Sequence, residues 1–124
     1  MSQVNIVPLD TAQLIDETAV GSKAASLIRL GRIGLSVPAG FCITENALQG
    51  HLEQNNLTKR IKSTVDELAN TKPDTKTAIL SALREAIVKA PLSQETHRQI
   101  ENHYRKLGAD HIAVRSSGTA ADVP

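Results

Sequence analysis

Three stretches between residues 57 and 107 place apolar side chains three and four residues apart, the period that gathers them on one face of an α-helix. Leu57, Ile61, Val65 and Leu68 form the first stripe. Ile79, Leu83 and Ile87 form the second, widened by Leu80, Ala82 and Ala86. Ile100, Tyr104 and Leu107 form the third. Lys72-Pro73-Asp74 separates the first two, because proline cannot continue a helix from its interior. Pro91-Leu92-Ser93 opens the third, with Ser93 as its N-cap and Gly108 as its C′ residue. A helical block over about 57–107 therefore constrains the fold more than any other feature.

The flanking segments read differently. Residues 4–9 are mostly apolar and include Pro8, which fits an edge strand. Residues 10–20 are polar and read as a loop. Ala24, Leu27, Ile28 and Gly31 share one helical face, and Gly31 and Gly34 stop that helix. Residues 41–43 suit a buried strand. Thr44 caps a helix running to about Gln54, and Asn55-Asn56 breaks it. Residues 111–115 read as a further strand. The order strand, helix, strand, helices, strand gives an α+β fold. It suggests that the two ends of the chain meet in space.

Composition narrows the chemistry. The 124 residues fit one domain or part of one, with 40% hydrophobic and 22% charged residues, as in a soluble globular protein. The net charge of +1 gives no broad attraction to nucleic acid or an anionic membrane. Phe41 and Tyr104 are the only aromatics, too few for stacking along single-stranded nucleic acid. No apolar run is long enough to span a bilayer. Met1 to Asp10 lacks the basic and apolar regions of a secretory signal. Cys42 is the only cysteine, which excludes a disulfide within the chain and fits a reducing, cytoplasmic setting. Its apolar neighbours favour packing over nucleophilic work. His51, His97, His103 and His111 show no metal-ligand spacing.

Two segments carry the candidate chemistry. The first is Gly21-Ser22-Lys23-Ala24-Ala25-Ser26-Leu27. A Gly-Ser turn admits close backbone approach, and the helix behind it points N–H groups at the turn, which favours an anion. Lys23 adds a positive charge. The spacing is not that of a Walker A loop. A plain helix start with a solvated lysine is the competing reading. The second is Val114-Arg115-Ser116-Ser117-Gly118-Thr119, continuing to Ala120-Ala121-Asp122-Val123-Pro124. A guanidinium at a strand end can grip phosphate oxygens in pairs, and Ser116, Ser117 and Thr119 supply hydroxyls. A surface loop with a salt-bridged arginine is the competing reading.

Taken with Val37-Pro38-Ala39-Gly40-Phe41-Cys42-Ile43-Thr44, these segments resemble the opening of the phosphoenolpyruvate synthase, pyruvate phosphate dikinase and rifampicin phosphotransferase family. That family carries Gly-Gly-Lys-Gly-x-x-Leu, then V-P-x-G-F-x-(V/I)-T, then A-V-R-S-S-A-T-A-E-D-L-P. Both the order and the long helical gap correspond. Ser22 and Ala24 stand where the family has glycine, Gly118 where it has alanine, Ala121 where it has glutamate, and Val123 where it has leucine.

The resemblance implies that residues 1–124 form part of an N-terminal ATP-grasp domain, with the helical block inserted between its motifs. It implies ATP phosphate binding by Lys23 and Arg115, with Gly21, Ser22, Ser116, Ser117 and Thr119 as the candidate phosphate loop. Mg²⁺ would be held by residues outside this chain. The family moves a phosphoryl group from ATP through a phosphohistidine to pyruvate or another small acceptor. The Thr-Ser-His context of that histidine does not occur in these residues. The chain is therefore expected to be a fragment that is inactive alone. Two other readings stay open: a stand-alone non-catalytic remnant, and a helical interaction module over 57–107.

Overall fold

The computed structural model describes residues 4–119. In chain order the elements are β1 (Ile6–Pro8), α1 (Glu17–Arg32), β2 (Phe41–Ile43), α2 (Glu45–Gln54), α3 (Leu57–Leu68), α4 (Pro73–Lys89) and α5 (Gln94–Leu107). They fall into two compact units. One joins the chain up to Leu48 with the chain from Gln94 onward, and the other is Gln49–Ser93. A mixed, helix-rich fold with a small sheet agrees with the α+β expectation.

In the first unit β1 and β2 pair antiparallel, with Ile6 opposite Ile43, Val7 opposite Cys42 and Pro8 opposite Phe41. Backbone bonds prolong the pairing at both ends: Leu9 N–H donates to Gly40 O (3.0 Å) and Thr44 N–H to Asn5 O (2.9 Å). Two strands of three residues cannot persist in water without a packed face. Helix α1 supplies that face through Val20, Ala24 and Ala25, against which Val7, Leu9, Ile15 and Cys42 pack. The two alanines let the helix backbone come close. Ala25, three residues before Ile28 and left out of the expected stripe, is fully buried as well. Helix α5 packs against β1, and the Phe41 and His103 rings meet at 5.4 Å with a 49° tilt.

Helix α1 begins earlier than the sequence suggests. The stretch read as loop contains an N-cap at Asp16, whose carboxylate accepts from Thr18 N–H (2.9 Å) and Thr18 Oγ1 (2.6 Å). The Thr18 hydroxyl, then its N–H, holds the Asp16 carboxyl below the usual carboxylate range. A lowered folded-state pKa means that this stabilisation is complete at neutral pH. It is lost as pH falls through the folded value. Asparagine caps as well as aspartate but does not titrate. Asp16→Asn should therefore leave the neutral-pH melting temperature nearly unchanged and make its fall in acid shallower. Thermal unfolding from pH 7 to pH 3 measures both.

In the second unit α3 packs against α4. Asn56, at φ 56°, ends α2 in the left-handed conformation that asparagine tolerates, and Leu57 is buried at the start of α3. Pro73 stands in the first turn of α4, where its missing N–H costs nothing. The unit is tied by His51 Nε2 to Ile87 O (3.0 Å) and by Asn55 Nδ2, which donates to His51 O (2.8 Å) and Pro91 O (3.2 Å). The predicted stripes are only partly covered. Val65 and Leu80 are 58% and 49% exposed.

One expected element does not form. Residues 111–118 have no regular secondary structure, and Ile112 and Val114 are exposed. A strand exists only through ladder bonds to a partner. Among the described residues the sheet contains β1 and β2 alone, and neither pairs with this segment. No helix among the described residues is long and apolar enough to cross a membrane.

Candidate functional site

The two chemistry-bearing segments meet at a break inside α1. Residues 17–20 make one turn, and the helix then leaves helical geometry at Gly21 (φ 81°, ψ 166°) before resuming. This part of conformational space is almost closed to residues with a side chain. Gly21 is needed for a second reason. A Cβ built there would stand 2.1 Å from Ser117 O and 2.3 Å from Ser117 C. The close approach that a glycine permits is filled here by the backbone of the second segment.

Three hydrogen bonds fix the junction. Ser22 N–H donates to Gly118 O at 2.9 Å. Ala24 N–H donates to Ser117 Oγ at 3.1 Å, and Ser117 Oγ–H donates to Val20 O at 2.7 Å. The Ser117 hydroxyl thus bridges the break, ending the turn before Gly21 and capping the helix after it. Residues more than 90 positions apart in sequence supply these contacts, and they bring the ends of the chain together as expected. The detail differs from the sequence reading. Two of the helix-start N–H groups expected to face an anion, those of Ser22 and Ala24, are bonded within the chain. Both are drawn there because a helix start leaves N–H groups that need acceptors.

The remaining candidates surround this junction. Lys23 is exposed between the two bonded N–H groups, and Arg115 is exposed two residues before Ser117. Ser116 and Thr119 are also exposed, whereas Ser22 is half-buried. The Glu17 carboxyl is held below the usual range by Arg29 first (2.9 Å), and also by the Ser22 hydroxyl. The acidic group nearest the Gly-Ser turn is therefore already paired with a cation. Residues 120–124, which close the second motif and include Ala121 and Val123, lie outside the described residues.

The other titratable groups do not join this site. Cys42 is half-buried with Sγ 3.4 Å from Val20 O, and burial raises its pKa, so the thiol stays protonated and packs as a small apolar group. His103 sits against Phe41 with Nδ1 2.8 Å from Gln99 O. Among the described residues no three His, Cys, Asp or Glu side chains gather as metal ligands. Asp16 and Glu17 are engaged by Thr18 and Arg29. These residues do not fit a magnesium cage.

Sequence reasoning found both segments but missed their mode of contact. The signals for the capped turn were present in Asp16-Glu17-Thr18 followed by Gly21-Ser22. Nothing local marks Ser117 as their partner.

Comparison with known proteins finds relatives over most of this sequence. The chain is 36% identical over 120 residues to phosphoenolpyruvate synthase of Escherichia coli, covering 88% of this chain and 15% of that protein. It is 31% identical over 127 residues to a probable phosphoenolpyruvate synthase of Staphylothermus marinus, covering 96% and 15%. Rifampicin phosphotransferase of Bacillus subtilis is 31% identical over 110 residues, covering 85% and 12%. The chain spans 12% to 15% of the length of these relatives. The family model for the pyruvate phosphate dikinase AMP/ATP-binding domain matches residues 17–124, from the capped turn through both segments that meet at Gly21, and the chain belongs to that family.

Proposed function

We propose that this chain is part of the ATP-binding domain of a phosphoenolpyruvate-synthase-like dikinase, built on an ATP-grasp type of fold. The parent reaction converts ATP, pyruvate and water to AMP, phosphoenolpyruvate and phosphate by way of a phosphohistidine. Lys23 and Arg115 bind the ATP phosphates, and the exposed hydroxyls of Ser116 and Thr119 add contacts. The observation that carries this reading is the junction of Gly21-Ser22 with Ser117-Gly118, which anchors the segments bearing the two cations. Two fixed cations stabilise a polyphosphate by charge-assisted hydrogen bonds, each stronger than a neutral pair.

In this reading the protein is cytoplasmic, and these residues contribute to nucleotide binding without completing transfer by themselves. Phosphoryl transfer needs nucleotide, metal and acceptor held together. The described residues offer cations for the first of these only. Pyruvate is the proposed acceptor and an antibiotic hydroxyl the alternative, since relatives named for phosphoenolpyruvate synthesis (36% and 31% identical) and for rifampicin phosphotransfer (31%) both match.

The test is ATP binding by calorimetry. A lost charge-assisted contact is worth about 1.5–3 kcal/mol, so Lys23→Ala and Arg115→Ala should each weaken binding by roughly 10-fold to 100-fold. The double variant should bind no ATP in the millimolar range. Unchanged affinity in both single variants would remove these two side chains from the site.

A further inference from the structure

Resting on the proposed nucleotide site, we infer that Ser117 is a positioning residue whose hydroxyl serves the protein and not the nucleotide. By sequence it stands among candidate phosphate-loop hydroxyls, between Ser116 and Gly118. By geometry it differs from its neighbours. Ser116 and Thr119 are exposed, whereas Ser117 is half-buried against the α1 break. A serine hydroxyl has one proton to donate. Here that proton goes to Val20 O at 2.7 Å, so it is spent before any phosphate arrives. The oxygen accepts from Ala24 N–H at 3.1 Å, which makes Ser117 the cap of the resumed helix from a distant part of the chain. A phosphate oxygen is only an acceptor and would need the donated proton. The hydroxyl cannot bond both Val20 O and a phosphate with it.

The role that follows is registration. Lys23 lies between Ser22 and Ala24, the two residues whose N–H groups reach the second segment. Arg115 lies two residues from the hydroxyl that receives one of them. Ser117 therefore fixes the spacing of the two backbone segments that carry the cations before ATP binds, and it acts through them.

Amide hydrogen exchange and ATP titration on the same protein test this. In the unmutated chain Ala24 N–H should be protected without ATP and equally protected with it. Ser117→Ala should speed Ala24 exchange and weaken ATP binding, each by about fivefold to tenfold, the usual size of a lost helix cap. Ser117→Thr keeps the hydroxyl and should return both to within about twofold. Weakened ATP binding with Ala24 protection intact would make Ser117 a direct ligand and overturn the inference. Lost protection with unchanged affinity would make it a cap without bearing on the site, and would also overturn it. If Ser117→Ala does not fold, the unmutated protein still decides: loss of Ala24 protection on adding ATP would show the hydroxyl being recruited by phosphate. Failure of the unmutated chain to bind ATP would sink the proposed function, while the exchange of Ala24 without ATP, compared between the unmutated chain and Ser117→Ala, would still judge the cap.

Discussion

Gly21→Ala should destabilise the first unit by about 3 kcal/mol or more, the largest effect expected from a single methyl group in this protein. Two penalties coincide. The backbone at φ 81°, ψ 166° disfavours any residue with a Cβ by about 1–3 kcal/mol. The new carbon would also stand 2.1 Å from the carbonyl oxygen of Ser117, well inside contact distance, and its neighbour there is backbone. A side chain could rotate away, but Ser117 can yield only by moving the segment. That movement breaks the bonds from Ser22 N–H to Gly118 O and from Ala24 N–H to Ser117 Oγ, worth about 1 kcal/mol each. Urea unfolding should show a lower midpoint, and ATP binding should be lost with the junction. Gly118→Ala is the control. A Cβ there meets nothing within 4 Å, so its effect should stay within about 0.5 kcal/mol. Equal effects from both glycines would contradict this account of the junction.

The second large effect is expected at Ile28. It is 1% exposed and is the largest fully buried side chain among the described residues. Its neighbours in the buried set along α1 are Val20, Ala24 and Ala25, which are smaller. Ile28 is thus the largest side chain that α1 buries. Ile28→Ala should cost about 2–5 kcal/mol, the range for deleting a buried isoleucine and leaving a cavity. A domain of this size has about 5–15 kcal/mol of stability in all, so the loss is a large share. Ile33→Ala just beyond the same helix makes a matched comparison. Ile33 is 74% exposed, and its truncation should change stability by no more than about 0.5 kcal/mol. Denaturation midpoints of the two variants separate burial from residue type.

Much of the fold was legible because its signals are local. Thr44 before Glu45, Asn56 before Leu57, Pro73 at the first turn of α4 and Gly108 after Leu107 each mark a boundary through backbone chemistry within a few residues. The strand Phe41–Ile43 was visible as an apolar run beside a Val-Pro turn, but it is not buried as expected: Phe41 and Cys42 are half-buried and Ile43 is exposed. The features missed are those set by distant contacts. Val20, in the stretch read as loop, and Ala25, which the expected stripe left out, are buried because Val7, Leu9, Ile15 and Cys42 pack against them. The segment at 111–115 has strand composition, but pairing decides whether a strand exists. The candidate site divides the same way. Lys23 and Arg115 stand out by charge beside Gly-Ser turns. The commitment of the Ser117 hydroxyl to Val20 and Ala24 follows from contacts across 97 and 93 positions, which no local pattern encodes.

The first unit is assembled from both ends of the chain, with residues 49–93 as an excursion that leaves it and returns. Closing a flexible ring grows costlier only with the logarithm of its length, so doubling such an excursion adds about 0.6 kcal/mol. Lengthening or trimming the excursion is therefore nearly neutral for the unit that carries both motifs. Natural variation in chain length should gather there, while the spacing from Asp16 to Ala24 tolerates no insertion.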